Sequence, residues 1–508
     1  MRYLPSGAQM KAADKYTIET LKVPSLTLME RAAESCVKIM KRKGFDLSNV
    51  LIVCGSGNNG GDGFAVGRIL ELMGYRVTVF LAGNPEHLSK ECAYQIEMFQ
   101  NLGAQICNEY PEGEYSIIVD ALFGVGLSRE VEGRYARIIE KMNKADGVKF
   151  AVDISSGISA DTGCVLGTAF QADVTVTFQS VKRGCLLYPG YQYCGEVVTA
   201  DIGISEHVFE IDSKIVYTYD KDDYWKLLPE RKDDSNKGTY GRLLVIAGSE
   251  GMSGAAYLNA KAAYRAGAGL VRIYTHSSNR TILQTLLPEA IVTTYDNYEK
   301  EEVLKFLEWA DTICIGSGMG KTTVAAQILR TVLEQVLVPC VIDADGINLL
   351  AEHPEYQSWL KGGFFVLTPH MKEMSRLLGR SVKEIKTNRF EILETYTEEQ
   401  EITCVLKDSR TLVSADGKRT YLNLSGNNAL AKGGAGDVLA GMIAGFAVQG
   451  VSVYEAAVLG VYVHGRCGDL AKKAMGSYSV LASELPEYIG GILKEQEDAK
   501  QNILYRFP

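Results

Sequence analysis

The stretch "NVLIVCGSGNNGGDGFAVGRILELMGYRVTVFLAG", residues 49–83, decides the fold. An apolar run at 50–54 reads as a buried strand. A glycine-rich turn follows, then helical spacing over about 61–74, then a second apolar strand at 76–81. Strand, helix, strand is a βαβ unit, which implies a parallel sheet and a right-handed crossover. Apolar runs at 116–120, 149–153 and 173–178 extend the same sheet. Strands apolar on both sides suit a sheet covered on both faces. Upstream, the spacing predicts helices over 7–20 and 25–43, with Ser25 as the N-cap of the second.

Residues 205–235 lose this alternation and gain charge, so a domain boundary is expected near 210–225. The pattern restarts with "GRLLVIAGSEGMSGAAYLNAKAAYRAGAGLVRIYT", residues 241–275, again strand, glycine turn, helix, strand. Further strands are expected at 312–316, 338–342, 364–368 and 402–406. Residues 405–413 suggest paired edge strands around a polar turn, and 435–495 read mostly as helices. The expectation is therefore an α/β chain of two domains, 1–215 and 225–500.

The chain has 508 residues, a formal charge of -9 and 46% hydrophobic residues, so either half is long enough to bury a core. Its acidity excludes a generally basic surface for nucleic acid or anionic lipid. Eleven cysteines without a CxxC, and only six histidines, argue for reduced thiols rather than disulfides or a zinc site. No apolar leader and no membrane-spanning apolar run is seen, so a cytoplasmic protein is expected.

"CGSGNNGGDG", residues 54–63, lies between strand and helix, where open α/β sheets bind ligands. It is not the dinucleotide fingerprint, because the partner acid some 20 residues later is absent, and no GK[ST] makes it a P-loop. "VDALFGVGLSREVEG" (119–133) puts Asp120 at a strand end, and "AVDISSGISADTG" (151–163) puts Asp153 at another. "FQSVKRGCLLYPG" (178–190) follows a fourth strand. Each acid alone reads as a loop cap. Together, three acid-and-glycine loops at successive strand ends point to a ligand site.

These residues resemble the YjeF N-terminal family, a Rossmann-like three-layer domain that epimerises hydrated nicotinamide dinucleotides. The resemblance spans about 1–215 and rests on "NNGGDG", "DALFGVG" and "SGISADTG". It implies that Asn58, Asn59, Gly60, Gly61 and Asp62 bind the damaged cofactor, NADHX or NADPHX. So would Gly124, Val125, Gly126, Leu127, Ser128, Arg129 and Glu130. Asp153 would touch the altered ring as the base. Asn59, Asp120 and Ser156 would hold K⁺. Ser155 stands where this family usually has proline, a departure expected to loosen the turn.

In the second half, "IGSGMG" (315–320), "VIDADGINLL" (341–350), "LTPHMKEMSRLLG" (367–379) and "VLKDSRTLV" (405–413) each read as a loop at the rim of one sheet. "NNALAKGGAGDVLAG", residues 427–441, places glycines directly before one acid and an apolar helix. This set resembles the ribokinase-like superfamily, and within it the dehydratases of hydrated NAD(P)H, over about 225–500. Gly433, Gly434 and Gly436 would form an anion hole at a helix N-terminus. Asp437 would be the base that takes a hydroxyl proton. Ala255, Gly318, His370 and Asp437 would meet the hydrated dinucleotide. Lys407, Asp408, Ser409, Arg410 and Thr411 would bind ADP or ATP. Asn427, Asn428, Ala429, Leu430, Ala431, Lys432 and Ala435 would join the glycines in doing so, with Mg²⁺ on the phosphates. Asp408 replaces the usual glycine, which implies a differently tuned nucleotide loop. The joint expectation is an epimerase fused to a dehydratase, assembled as a homo-oligomer. The alternatives are a small-molecule kinase of the same superfamily carrying a nucleotide-binding N-terminal module, and an interaction protein whose first half has lost catalysis.

Overall fold

The computed structural model describes residues 1–504, with 496–504 as backbone only. The chain divides into two compact units, Tyr3–Val216 and, with Met1–Arg2, the chain from Tyr217 onward.

A short strand, β1 (Arg2–Leu4), comes first, and the first unit then has helices at Gly7–Lys15 and Ser25–Arg42. The first helix continues only as a wider π turn, Tyr16–Thr20. Ser25 is not the cap expected of it. Pro24 holds the N-cap position, and the Ser25 hydroxyl donates to Glu91 Oε1 at 3.0 Å.

The sheet contains β2 (Asn49–Cys54), β3 (Arg76–Leu81), β4 (Ile106–Cys107), β5 (Ile117–Ala121), β6 (Val148–Val152), β7 (Val174–Phe178) and β8 (Glu196–Ala200). Their order is β4-β3-β2-β5-β6-β7-β8 and every pairing is parallel. The chain runs outward from β2 to β4 and then returns to β5 on the other side. The switch between β2 and β5 opens a crevice at the strand ends. The loops after these two strands are the ones rich in glycine.

The helix after β2 spans Asn58–Leu72 and begins about three residues earlier than its periodicity suggests. The early glycines lie inside it because it packs too closely for side chains. A Cβ at Gly60 would lie 2.0 Å from the Gly55 carbonyl oxygen, and one at Gly63 2.5 Å from the Ala121 Cβ.

The second unit holds β9 (Val216–Thr218), β10 (Arg242–Ile246), β11 (Leu270–His276), β12 (Ile291–Tyr295), β13 (Thr312–Ile315), β14 (Cys340–Ile342), β15 (Phe365–Leu367), β16 (Thr403–Leu406), β17 (Leu412–Ala415) and β18 (Tyr421–Leu422). From β18 the order is β18-β17-β16-β15-β14-β13-β10-β11-β12, with Tyr217 of β9 beside Tyr421. β16, β17 and β18 are antiparallel neighbours, and β16 through β12 run parallel. Here the switch falls between β10 and β13. Helices Ala435–Ala447 and Val453–Ser479 follow, the first almost wholly buried against helix Ser253–Ala266. Both units thus have the α/β layering expected from sequence. Among the described residues no helix is long and apolar enough to cross a membrane.

Candidate functional site

The first unit encloses a cavity of about 690 Å³ at the strand ends. Its lining includes Asn58, Asn59 and Asp62 from the glycine helix, and Gly124 through Arg129 from the loop after β5. Asp153, directly after β6, lines it too. Gly60, Gly61 and Glu130 do not line it; the two glycines are buried beneath.

Asp153 sits at φ 66°, a strained backbone for an aspartate. Its amide donates to the Val176 carbonyl at 2.8 Å, and its Oδ1 accepts from the Phe178 amide at 3.2 Å. The same oxygen is ion-paired with Lys182 Nζ. Lys182 is 1% exposed, and its ammonium also donates to Thr177 Oγ1 and the Phe178 carbonyl. A lysine this buried exists as an ammonium only with such partners. Sequence reasoning selected the 178–190 stretch but not this lysine.

Asp120, fully buried at the end of β5, accepts from the Ser156 hydroxyl and the Ser156 amide, each at 2.7 Å. The Ser156 Oγ also accepts from the Phe123 amide at 2.9 Å. Asn59 lies against the next residue, Gly124, and its buried Nδ2 has no partner. The three expected ion ligands are therefore gathered around one loop. Burial pushes the Asp120 carboxyl up to about 6, against the lowering effect of the Ser156 bonds. No cationic side chain pairs with it among the described residues. Ser155 does not loosen its turn. Its hydroxyl reaches the Phe170 and Tyr193 carbonyls at 2.9 and 3.0 Å, tying the strand end to two neighbouring segments.

In the second unit, the loops after β10 and β13 are laced together by Gly248 N–Ser317 O and Ser249 N–Gly318 O bonds, at 3.1 and 2.6 Å. Gly318 packs on Ala255, so these two expected substrate residues meet. The loop after β15 pairs with the loop after β16 through Lys407 N and Pro369 O, 2.8 Å apart. His370 caps the helix Met371–Leu378. Its Nδ1 accepts from the Lys372 and Glu373 amides, both at 3.1 Å. That leaves Nε2 to carry the proton, 3.3 Å from Glu373 Oε1. Burial, and then the Lys407 charge, lower the imidazole's proton affinity.

The helix Ala435–Ala447 starts from Gly434 at φ 89°, a left-handed turn that suits glycine. The amides of Gly436 and Asp437, in its first turn, have no intrahelical acceptor. Gly436 lies beside Lys407 Nζ, and that ammonium reaches Asp343 Oδ1 at 2.7 Å. Thr368 Oγ1 also donates to Asp343, at 2.6 Å. Burial works against the Asp343 charge, but Lys407 holds its carboxyl below the usual range. Asp437 behaves oppositely. Burial, then the neighbouring Asp343 charge, push it up to about 6, although Ser317 and Lys407 oppose this. A carboxyl raised toward neutrality beside open amides is a proton acceptor placed at an anion site. Asp343 stood in a stretch the sequence singled out, but its link to Lys407 needed the fold.

The remaining expected nucleotide residues form two loops. In 407–411, Asp408 faces Arg389 Nη1 at 3.4 Å and Arg410 Nη1 donates to the Leu424 carbonyl at 3.2 Å. In 427–436, Asn427 Nδ2 donates to Asp469 Oδ1 at 2.8 Å, and Lys472 Nζ donates to Asn428 Oδ1 at 3.1 Å. Lys432 Nζ donates to the Tyr478 carbonyl at 2.9 Å. All three partners sit on the helix Val453–Ser479.

Comparison with known proteins was made on this geometry. Residues 25–184 match the family described as YjeF-related protein N-terminus, and 243–490 the one described as NAD(P)H-hydrate dehydratase. The bifunctional NAD(P)H-hydrate repair enzyme Nnr of Moorella thermoacetica is 35% identical over 99% of this chain and 98% of its own. The enzyme of the same name from Coxiella burnetii is 36% identical over 96% and 98%. Among solved structures, the ADP/ATP-dependent NAD(P)H-hydrate dehydratase of Bacillus subtilis, co-crystallised with ATP/Mg²⁺, is 30% identical. It covers 55% of this chain and 98% of its own at a TM-score of 0.48. Acid-bearing loops in both units, and near-complete coverage by relatives at 35–36% identity, lead to one conclusion: the chain belongs to the family of bifunctional NAD(P)H-hydrate repair enzymes.

Proposed function

We propose that the two units act in turn on one damaged cofactor. Reduced NAD(P)H takes up water at its nicotinamide ring, giving R and S epimers that cannot deliver hydride. The first unit interconverts the epimers, and the second dehydrates the S form. The observation that carries this reading is the pair of proton-transfer carboxylates. Asp153 sits in a dinucleotide-sized cavity, and Asp437 sits at a glycine-built helix N-terminus.

In the first unit, corresponding to 1–215, Asn58, Asn59 and Asp62 and the loop Gly124–Arg129 would hold the dinucleotide while Asp153 handles the proton at the ring. Asn59, Asp120 and Ser156 fit K⁺. Their donors are oxygens, and among the described residues no cationic side chain pairs with the buried Asp120 carboxyl. Bound there, the ion would supply positive charge to the substrate's phosphate or ribose oxygens.

In the second unit, corresponding to 225–500, ADP or ATP would lie along Lys407–Thr411 and Asn427–Gly436, its phosphates at the open amides. Hydroxide is a poor leaving group, so the ring hydroxyl is first phosphorylated. Asp437 takes its proton, the oxygen attacks the terminal phosphoryl group, and AMP or ADP departs. Phosphate then leaves the ring with a proton from the adjacent carbon, restoring NAD(P)H. Asp343 and Glu373 are already engaged by the Lys407 ammonium, so Mg²⁺ would come with the nucleotide's phosphates. Mg²⁺ would neutralise phosphate charge.

Eleven free thiols support a cytoplasmic setting, and a homo-oligomer is expected, to be read by light scattering. The deciding assay incubates hydrated NADH with protein and ADP or ATP and follows absorbance at 340 nm. Its recovery with one equivalent of free phosphate supports the reading. A stable phosphorylated product without recovery would make the chain a kinase instead.

A further inference from the structure

We propose that Lys11, on the helix Gly7–Lys15, binds a phosphate group of the dinucleotide beside the Gly124–Arg129 loop of the epimerase cavity. The proposal rests on the reading of this cavity as the dinucleotide's site.

The cavity is short of positive charge for such a ligand. Its lining carries four carboxyl groups, Asp14, Asp62, Glu91 and Asp153, against three cations, Lys11, Arg129 and Lys182. Lys182 is buried and engaged by Asp153, Thr177 and the Phe178 carbonyl. The substrate is a polyanion. Both hydrated dinucleotides carry a pyrophosphate, and NADPHX carries a further phosphate on its adenosine ribose. A site lined mostly by acids repels these groups unless cations and amides stand where they lie. Lys11 and Arg129 are the cations left for that task. Among the described residues neither makes a hydrogen bond or an ion pair within the chain.

What sets Lys11 apart from an ordinary solvated lysine is its place. The helix Gly7–Lys15 starts directly on the loop after β5, since a Cβ at Gly7 would lie 2.7 Å from the Val125 carbonyl oxygen. Ser6 and Gln9 cap that start reciprocally, and the Gly7 amide donates to Asp161 Oδ1 at 2.6 Å. Lys11 follows about one helical turn later and lines the cavity. Its Nζ lies 3.4 Å, and its Cε 3.8 Å, from the point that a Gly126 Cβ would occupy. The ammonium therefore stands against a residue with no side chain to cover the backbone. The Leu127 amide closes a turn on the Gly124 carbonyl at 3.2 Å. The amides of Val125 and Gly126 have no acceptor among the described residues. Open amides with an ammonium beside them, and a guanidinium on the same loop, suit a phosphate.

The experiment measures R-to-S interconversion by the full chain without nucleotide, read by chromatographic separation of the epimers, with NADHX and with NADPHX at low and high salt. Wild type is compared with Lys11→Gln, Lys11→Glu and Lys11→Arg. Lys11→Gln should raise epimerase KM about tenfold, the effect of one hydrogen bond to a charged group, with kcat little changed. Lys11→Glu should raise it further, and Lys11→Arg should keep most of the affinity. Salt should weaken substrate binding to wild type more steeply than to Lys11→Gln. A KM rise for both substrates places Lys11 on the pyrophosphate, and a rise for NADPHX alone places it on the ribose phosphate; either supports the proposal. Unchanged KM for both substrates would overturn it. So would a loss in kcat alone, or a KM rise equal in all three variants with the salt dependence of wild type. S-epimer dehydration with ADP should be unaffected throughout, which reports an intact chain. If wild type interconverts the epimers of neither dinucleotide, the reading of the cavity fails and the proposal with it.

Discussion

Asp437 shows what one residue's surroundings do to its chemistry. Its carboxyl is pushed up to about 6 by burial and by Asp343. A general base works only unprotonated, so dehydration of the S form should fall about tenfold per pH unit well below pH 6. Asp437→Asn should keep nucleotide affinity and lose about 10²–10⁴ in kcat, read by 340 nm recovery from pure S epimer. Wild-type turnover would remove Asp437 from the mechanism. The acids of both sites were legible because they stand beside glycines, Asp120 and Asp153 at strand ends and Asp437 at a helix start. Their partners were not. In "VKRG" two cations are adjacent, and only the geometry after β7 shows that Lys182, not Arg183, is the one buried against Asp153. Ser155 likewise reads as a lost proline, until its hydroxyl is seen spanning two carbonyls.

At the scale of elements, one helix holds the loop proposed to bind the nucleotide. Asp469 on Val453–Ser479 accepts from the Gly426 amide at 3.2 Å and from Asn427 Nδ2 at 2.8 Å. Hydrogen bonds to a charged group contribute about 1.5–3 kcal/mol each. Asp469→Ala should therefore raise KM for ADP or ATP at least about tenfold, with epimerisation unchanged and Asp469→Asn retaining part of the affinity. An unchanged nucleotide KM would mean the loop is held from elsewhere. The central strands were legible because they carry buried apolar residues on both faces, as in Val50–Cys54 of β2 and Ile117–Val119 of β5. The edge strands β4 and β8 were not. One has two residues and the other is mostly part-exposed, so neither carries a continuous apolar signal. The start of the helix Asn58–Leu72 was misplaced because glycines chosen for close packing look like a turn.

For the whole molecule, the account requires two complete catalytic units in one chain. Each unit has its own sheet, all parallel in the first and mainly parallel in the second, with its own switch point, and the division falls at Val216 and Tyr217. A fragment of residues 1–215 should therefore fold and interconvert the epimers without any nucleotide, as followed by chromatographic separation of R and S. Repeated insolubility with shifted ends would count against the proposed boundary. That there are two sheets was legible from the restart at 241. That both glycine loops lie at a reversal of strand order was not, because sequence gives the strands but not their lateral order. The claim that joins the units is a time course on a mixture of R and S with excess ADP. Wild type should exhaust both forms, Asp153→Asn should stop near the initial S fraction apart from slow spontaneous epimerisation, and Asp437→Asn should consume neither. Consumption of R by Asp153→Asn at the wild-type rate, or of S by Asp437→Asn, would contradict the account.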